Sequence, residues 1–135
     1  MPGSSRRDFL VRCLVAGTAL LAPARRALAA RPPHPAPRRG ITGAKVLTRA
    51  QLGDHAHLAP LFDGVRAIPQ VVDGIACNCG CAELPGFYSL LSCYEGEGMA
   101  RHCEICQGQA RLATRMHREG KTLQQIRTAI DAKFG

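Results

Sequence analysis

M-A-R-H-C-E-I-C-Q-G-Q-A-R-L-A-T-R-M-H-R (Met99 to Arg118), continuing as E-G-K-T-L-Q-Q-I-R-T-A-I-D-A-K-F-G (Glu119 to Gly135), is the stretch that decides the fold. Its first part lacks proline, and its internal Gly108 only weakens a helix rather than ending one. Cys103, Cys106, Ala110, Ala113 and the pair Met116–His117 recur at helical spacing. Gly120 occupies a helix stop position. Thr122 with Gln125 three residues on is a capping box, and it opens a second helix whose apolar stripe is Leu123, Ile126, Ile130 and Phe134. Two helices joined by so short a connection predict an αα-hairpin.

Six cysteines lie within or just before this hairpin. They run C-x-C-x-C at Cys77, Cys79 and Cys81, then a lone Cys93, then C-x-x-C at Cys103 and Cys106. From Cys77 to Gly98 the chain is glycine-rich without sustained periodicity, which predicts an irregular loop wrapped around the thiols. Upstream, Thr48 with Gln51 is a further capping box, opening a short helix that Pro60 is expected to end. Pro69 suits the first turn of another short helix, Pro69 to Asp73, stopped by Gly74. Asp73 before that glycine resembles turn chemistry rather than a catalytic acid. The fold class is therefore mainly α: a small single domain, residues 41–135, with a cysteine-rich irregular loop packed on a C-terminal αα-hairpin.

The N-terminus carries a different message. Arg6-Arg7 followed by Phe9-Leu10, an apolar run from Cys13 to Ala22, and small residues ending Ala27-Leu28-Ala29 describe a cleavable twin-arginine signal peptide over residues 1–29. Its apolar run is about half the roughly 20 residues that a membrane span needs, so no stable span is expected after cleavage. Arg12 directly before Cys13 argues against lipid attachment at that cysteine, which leaves with the signal. Residues 30–40, A-R-P-P-H-P-A-P-R-R-G, form a Pro/Arg-rich tether expected to be extended and mobile. The expected location is periplasmic or otherwise exported.

Charge narrows the function classes. The whole chain is +8, but residues 1–29 contribute +4, residues 30–39 another +3, and residues 40–135 only +1, from ten Lys/Arg against nine Asp/Glu. The folded part is nearly neutral and poor in aromatics, so nucleic acid is not an expected partner. There is no phosphate-binding glycine loop and no nucleophile elbow, and Glu83, Glu95 and Glu97 show no catalytic pairing. With no tryptophan the apolar core is modest. Metal or cross-links are then expected to add stability.

The thiols admit three chemistries. In an extended segment, alternation with period two would turn the sulfurs of Cys77, Cys79 and Cys81 to one side, with Gly80 permitting a tight turn. On a helix, Cys103 and Cys106 would share a face, and the N-terminal dipole would favour their thiolates. Sulfurs drawn from both motifs would make a tetrahedral zinc or a copper(I)–thiolate site, so the candidate metal ligands are Cys77, Cys79, Cys81, Cys93, Cys103 and Cys106. Structural disulfides are the second option for an exported domain. Thiol–disulfide exchange at Cys103-Glu104-Ile105-Cys106 is the third, although no thioredoxin-like βαβ pattern surrounds it. Among the histidines, His102 abuts Cys103, and His55 and His57 form an H-x-H. His34 and His117 have no thiol partner nearby in sequence.

At Ile75-Ala76-Cys77-Asn78-Cys79-Gly80-Cys81 the chain resembles the PCYCGC-motif family of small exported bacterial proteins. The resemblance runs from about Ile68-Pro69 to Gly135 and takes in Cys93, Cys103-x-x-Cys106 and Glu119-Gly120-Lys121-Thr122. Ala76 stands where the motif has proline, and Asn78 where it has tyrosine. Members are often lipoproteins; without a lipid-attachment cysteine this chain is expected to be unanchored. Cys103-Glu104-Ile105-Cys106-Gln107 and the helix pair after it are also similar to the thioredox subunit of cytochrome c maturation, although Arg101-His102 replaces that family's residues before the first cysteine. The leading expectation is a soft-metal protein, holding copper or zinc for handling or delivery rather than catalysis, with a periplasmic metalloprotein or redox protein as partner. The alternatives are a periplasmic thiol–disulfide oxidoreductase serving cytochrome or metal-centre assembly, and a disulfide-stapled interaction domain.

Overall fold

The computed structural model describes residues 32–135. The signal peptide expected over residues 1–29, with its expected cleavage position and Cys13, lies outside the described residues.

Each helix begins and ends for a local reason. Helix α1 (Arg49–Leu52) starts at the Thr48 capping box, where Gln51 Oε1 accepts the Thr48 N–H at 2.8 Å. A 3₁₀ segment, Gly53–Leu58, leads into α2 (Ala59–Ala67). Pro60 therefore sits in the first turn of α2 and does not end a helix. Proline's missing N–H costs nothing at that position and its fixed φ suits helix entry, so the expected stop is a start. Ile68, which precedes Pro69 and is pushed out of the helical region by it, separates α2 from α3 (Pro69–Asp73). Gly74 ends α3 as expected. A Cβ there would stand 2.7 Å from Leu123 Cδ2 and 3.0 Å from Pro37, so a larger residue would have to displace the Leu123 side chain.

The loop from Cys77 to Gly98 is more ordered than its composition suggests. It contains 3₁₀ turns at Cys81–Glu83 and Leu90–Tyr94, and a third, Met99–Arg101, follows it. Turns this short carry no periodicity long enough to be visible in sequence. Helix α4 (Glu104–Arg118) and helix α5 (Leu123–Phe134) form the expected hairpin and pack on each other. Its connection is a Schellman motif: Gly120 (φ 76°) N–H bonds the His117 carbonyl at 2.9 Å and Lys121 N–H bonds the Met116 carbonyl at 3.0 Å. The Thr122–Gln125 capping box then opens α5.

The core lies between α2, α3, the Leu90–Tyr94 turn and the hairpin. Phe62 and Tyr94 meet edge to face, 4.7 Å between centroids, and Val65, Val72, Ile75, Leu90, Ile126 and Ile130 close around them. Among the described residues there is no strand, only an isolated antiparallel bridge between Val46 and Glu95. No helix among them is long and apolar enough to cross a membrane.

The described part of the proline-rich stretch, residues 32–40, is docked rather than free. His34 Nδ1 accepts the Ala76 N–H at 3.0 Å, and its Nε2 lies 3.1 Å from Asp131. Arg38 makes a forked pair with Asp73, whose side chain is fully buried, with Nη2 to Oδ1 at 2.7 Å and the Arg38 N–H to Oδ2 at 2.8 Å. Ser89 Oγ donates to the same carboxylate at 2.8 Å. Burial works to raise the Asp73 pKa, yet the Arg38 and Ser89 bonds outweigh it and hold the carboxyl below its usual range. Asp73 is thus an interior anchor for Arg38 and Ser89 rather than a turn residue. Arg127 completes the docking by donating to the Pro35 carbonyl at 2.7 Å.

Candidate metal centre

Three pieces of chain carry the thiols to one place. The first follows α3. Leu90 N–H bonds the Ile75 carbonyl at 2.7 Å, which pins the entry to the C-x-C-x-C segment against the turn that carries Cys93. The segment is a turn rather than a strand. Gly80, at φ 90° in the left-handed region, swings the chain back so that Cys79 and Cys81 bring their sulfurs to 2.8 Å. Strand alternation is therefore not what aligns these thiols. The second piece is the Leu90–Tyr94 turn. Tyr94, fully buried, donates its hydroxyl to the Cys106 carbonyl at 2.8 Å and so holds neighbouring Cys93 against α4.

The third piece is the start of α4. Cys103 is not inside the helix but is its N-cap, and its Sγ accepts the Cys106 N–H at 3.4 Å. Cys106 lies in the first turn, completely buried, with its Sγ near those of Cys77 and Cys79.

Four sulfurs result, one each from Cys77, Cys79, Cys93 and Cys106, all within 4.8 Å of one another. Cys77 lies 3.0 Å from Cys79 and 3.3 Å from Cys106, and Cys106 lies 3.5 Å from Cys79. Cys77, Cys93 and Cys106 are at most 1% exposed, while Cys79 is half-buried. All six described cysteines are free thiols. The structure thus joins members of all three cysteine groups. It places Cys81 beside Cys79 at the edge of the cluster and leaves Cys103 outside the four-sulfur group.

Electrostatics single out one sulfur. Hydrogen bonds from Cys106 and Cys93 overcome the opposing effect of burial and hold the Cys77 thiol down to about 3. The same bond, given to Cys77, raises Cys106 above the usual thiol range, and burial raises Cys79. Cys93 is drawn down by Cys106, but its bond to Cys77 and its burial leave it raised overall. The buried cluster therefore tolerates one thiolate and resists a second. A bound cation lifts that resistance, because it replaces the shared protons as the positive partner of every sulfur.

The dimensions suit such an ion. With metal–sulfur bonds of about 2.3 Å, the sulfurs of a tetrahedral site lie about 3.8 Å apart; here three of the pairs are closer, at 3.0, 3.3 and 3.5 Å, and all four lie within 4.8 Å, so a tetrahedral ion requires the group to open by a few tenths of an ångström. Asn78, between Cys77 and Cys79, holds a buried side-chain amide nitrogen without a partner among the described residues. The cysteine cluster can hold a metal ion.

Gln109 was not apparent from sequence as part of this site. It is completely buried, accepts the Asn78 N–H at 3.2 Å through Oε1 and donates Nε2 to the Ala76 carbonyl at 3.2 Å. It therefore grips the chain on both sides of Cys77. The available signal was its position three residues after Cys106, on the same helix face.

No family profile, curated protein or solved structure matches this chain.

Proposed function

We propose that this is an exported soft-metal-binding protein of the PCYCGC-motif type, which holds copper(I) or zinc and serves metal handling or delivery to a periplasmic metalloprotein. The observation that carries the reading is the convergence of Cys77, Cys79, Cys93 and Cys106 within 4.8 Å, from three separate pieces of chain. An all-sulfur, largely buried donor set suits soft and borderline ions, and no protein oxygen or nitrogen ligand is needed. Handling rather than purely structural binding is supported by the rim. Cys79 is half-buried and has Cys81 at 2.8 Å, so a spare thiol stands beside the most accessible ligand for exchange of the ion. A dithiol oxidoreductase is less well supported, because Cys106 faces Cys77 and Cys79 while Cys103 caps the helix through its sulfur.

The test is protein purified from the export compartment without chelator. It should carry about one metal ion per chain, with its cluster thiols shielded from alkylation until the metal is removed. Thiols blocked until reductant is added, with no metal, would replace this reading by disulfides. Cycling of Cys103 and Cys106 alone would replace it by the oxidoreductase. Export itself is tested by changing Arg6 and Arg7 to lysine, which should strand the precursor in the cytoplasm, while wild-type mature protein should begin near Ala30.

A further inference from the structure

The chain through Cys77 is held peptide by peptide. Leu90 N–H takes the Ile75 carbonyl at 2.7 Å, and Gln109 takes the Ala76 carbonyl and the Asn78 N–H, each at 3.2 Å. The remaining group, the Ala76 N–H, bonds a residue 42 positions away in sequence: His34 Nδ1, at 3.0 Å. Ala76 is buried, so its N–H has no water to turn to if that acceptor is lost. An accepting Nδ1 puts the ring proton on Nε2, which faces Asp131 Oδ1 at 3.1 Å. Asp131 thus favours the tautomer that Ala76 requires. The chain after His34 is tied to the same region. Arg127 donates to both the Pro35 and the Gly74 carbonyls at 2.7 Å. The Tyr88 hydroxyl donates to the Ala36 carbonyl at 2.6 Å, and the Arg38 guanidinium lies 4.6 Å over the Tyr88 ring. Residues 34–38 therefore strap the chain on both sides of the C-x-C-x-C segment, at Gly74 and Ala76 before it and at Tyr88 after it.

We infer that His34 is a positioning residue of the metal centre: through the Ala76 N–H, its Nδ1 fixes the place of the Cys77 sulfur within the four-sulfur group. The inference rests on the reading of that group as a metal site. Cys77 lies 3.0 Å from Cys79 and 3.3 Å from Cys106, so a shift of its backbone disturbs contacts to sulfurs from two pieces of chain. Without the imidazole, the Ile75–Ala76 peptide keeps its carbonyl bond to Leu90 but holds an orphaned buried N–H, and it relaxes by turning toward a new partner. The next residue is a ligand, so that turn is passed to the metal. Outer groups of this kind act on metal affinity by orienting ligands they do not replace. The stretch that composition describes as a tether thereby becomes part of the metal site's support.

Two amides separate the ring nitrogens. Asparagine carries an acceptor oxygen at the place of Nδ1 along the side chain, whereas the glutamine amide stands at the place of Nε2. The experiment is competition for one equivalent of zinc(II) between the full-length reduced chain and a chelator of known affinity, with amide NMR spectra confirming that each variant is folded. His34→Asn should keep wild-type affinity, while His34→Gln and His34→Ala should each weaken zinc by at least about tenfold. A packing role predicts the reverse order, because glutamine fills the space of histidine better than asparagine does. Loss of affinity in His34→Asn, retention in His34→Gln, or equal affinity in every variant would overturn the inference while leaving the metal site standing. A wild-type chain that takes up no zinc would remove both. If His34→Ala fails to fold, the asparagine and glutamine variants decide between the two roles.

Discussion

Gln109→Leu tests what fastens the Cys77 segment at the candidate metal centre without replacing a cysteine. Leucine nearly matches glutamine in volume, so the change removes polar contacts without opening a large cavity in a completely buried position. Two backbone groups lose their partners, the Asn78 N–H and the Ala76 carbonyl, each bonded to Gln109 at 3.2 Å, and the Cys77 thiol loses Gln109 Oε1 as an acceptor at 3.4 Å. An orphaned buried polar group costs about 1–3 kcal/mol, and Asn78 keeps some access to solvent, so the metal-free protein should lose about 2–4 kcal/mol. The effect on the metal should be separate. Ala76 and Asn78 flank Cys77, so loosening both ends displaces a ligand, and loss of such supporting contacts lowers metal affinity about 10–100-fold. Urea unfolding of the metal-free chain measures the first quantity, and competition against a chelator of known affinity measures the second. A Gln109→Leu protein with wild-type stability and wild-type affinity would refute the claim that this residue fastens the Cys77 segment. A stability loss with unchanged affinity would confine Gln109 to packing.

Other perturbations report on neighbouring parts of the structure. Asp73→Asn should destabilise the protein by about 2–3 kcal/mol at neutral pH, discounted because Arg38 is 41% exposed. Because the folded-state Asp73 pKa is lowered, its stabilising effect is complete above the unfolded carboxylate pKa of about 3.9 and is lost as pH falls from there through the folded value; the difference between the two proteins in urea should shrink over that window. Gly98→Ala would drive a methyl into the Cys93 carbonyl, and should cost about 1–3 kcal/mol together with measurable loss of metal affinity, read by the same two assays. Cys106→Ser and Cys79→Ser should each abolish tight binding, the double variant being little worse than either, whereas Cys103→Ser should retain the ion.

The hairpin was legible in the sequence because its signals are local. Gly120 and the Thr122–Gln125 box each act within one turn of helix and appear where expected, as does the apolar spacing from Cys106 onward, while the expected helical start at Met99 gives way to a 3₁₀ turn and a helix that begins at Glu104. The Pro69–Asp73 helix was legible for the same reason. Pro60 misled because proline marks both the ends and the first turns of helices, and only the packing of Phe62 and Val65 decides between them. The docking of residues 34–38 depends on a carboxylate 35 residues from Arg38, a pairing that composition cannot reveal.

The candidate site divides along the same line. Which residue type would gather was plain from the cysteine spacing; which cysteines meet was not. Selection of Cys77, Cys79, Cys93 and Cys106 follows from tertiary contacts, the left-handed Gly80 and the Tyr94 hydroxyl bond among them. The same contacts turn Cys103 into a helix cap, which a regular helix through Met99 to Arg118 would not have done.

X-ray absorption at the metal edge, on reduced protein carrying a single equivalent of copper(I) or zinc(II), tests the central claim most directly. The account predicts a first shell made only of sulfur, at about 2.3 Å for zinc, that is lost in Cys106→Ser and kept in Cys103→Ser. A first shell of nitrogen or oxygen at that single equivalent, or a sulfur shell that survives Cys106→Ser, would contradict it.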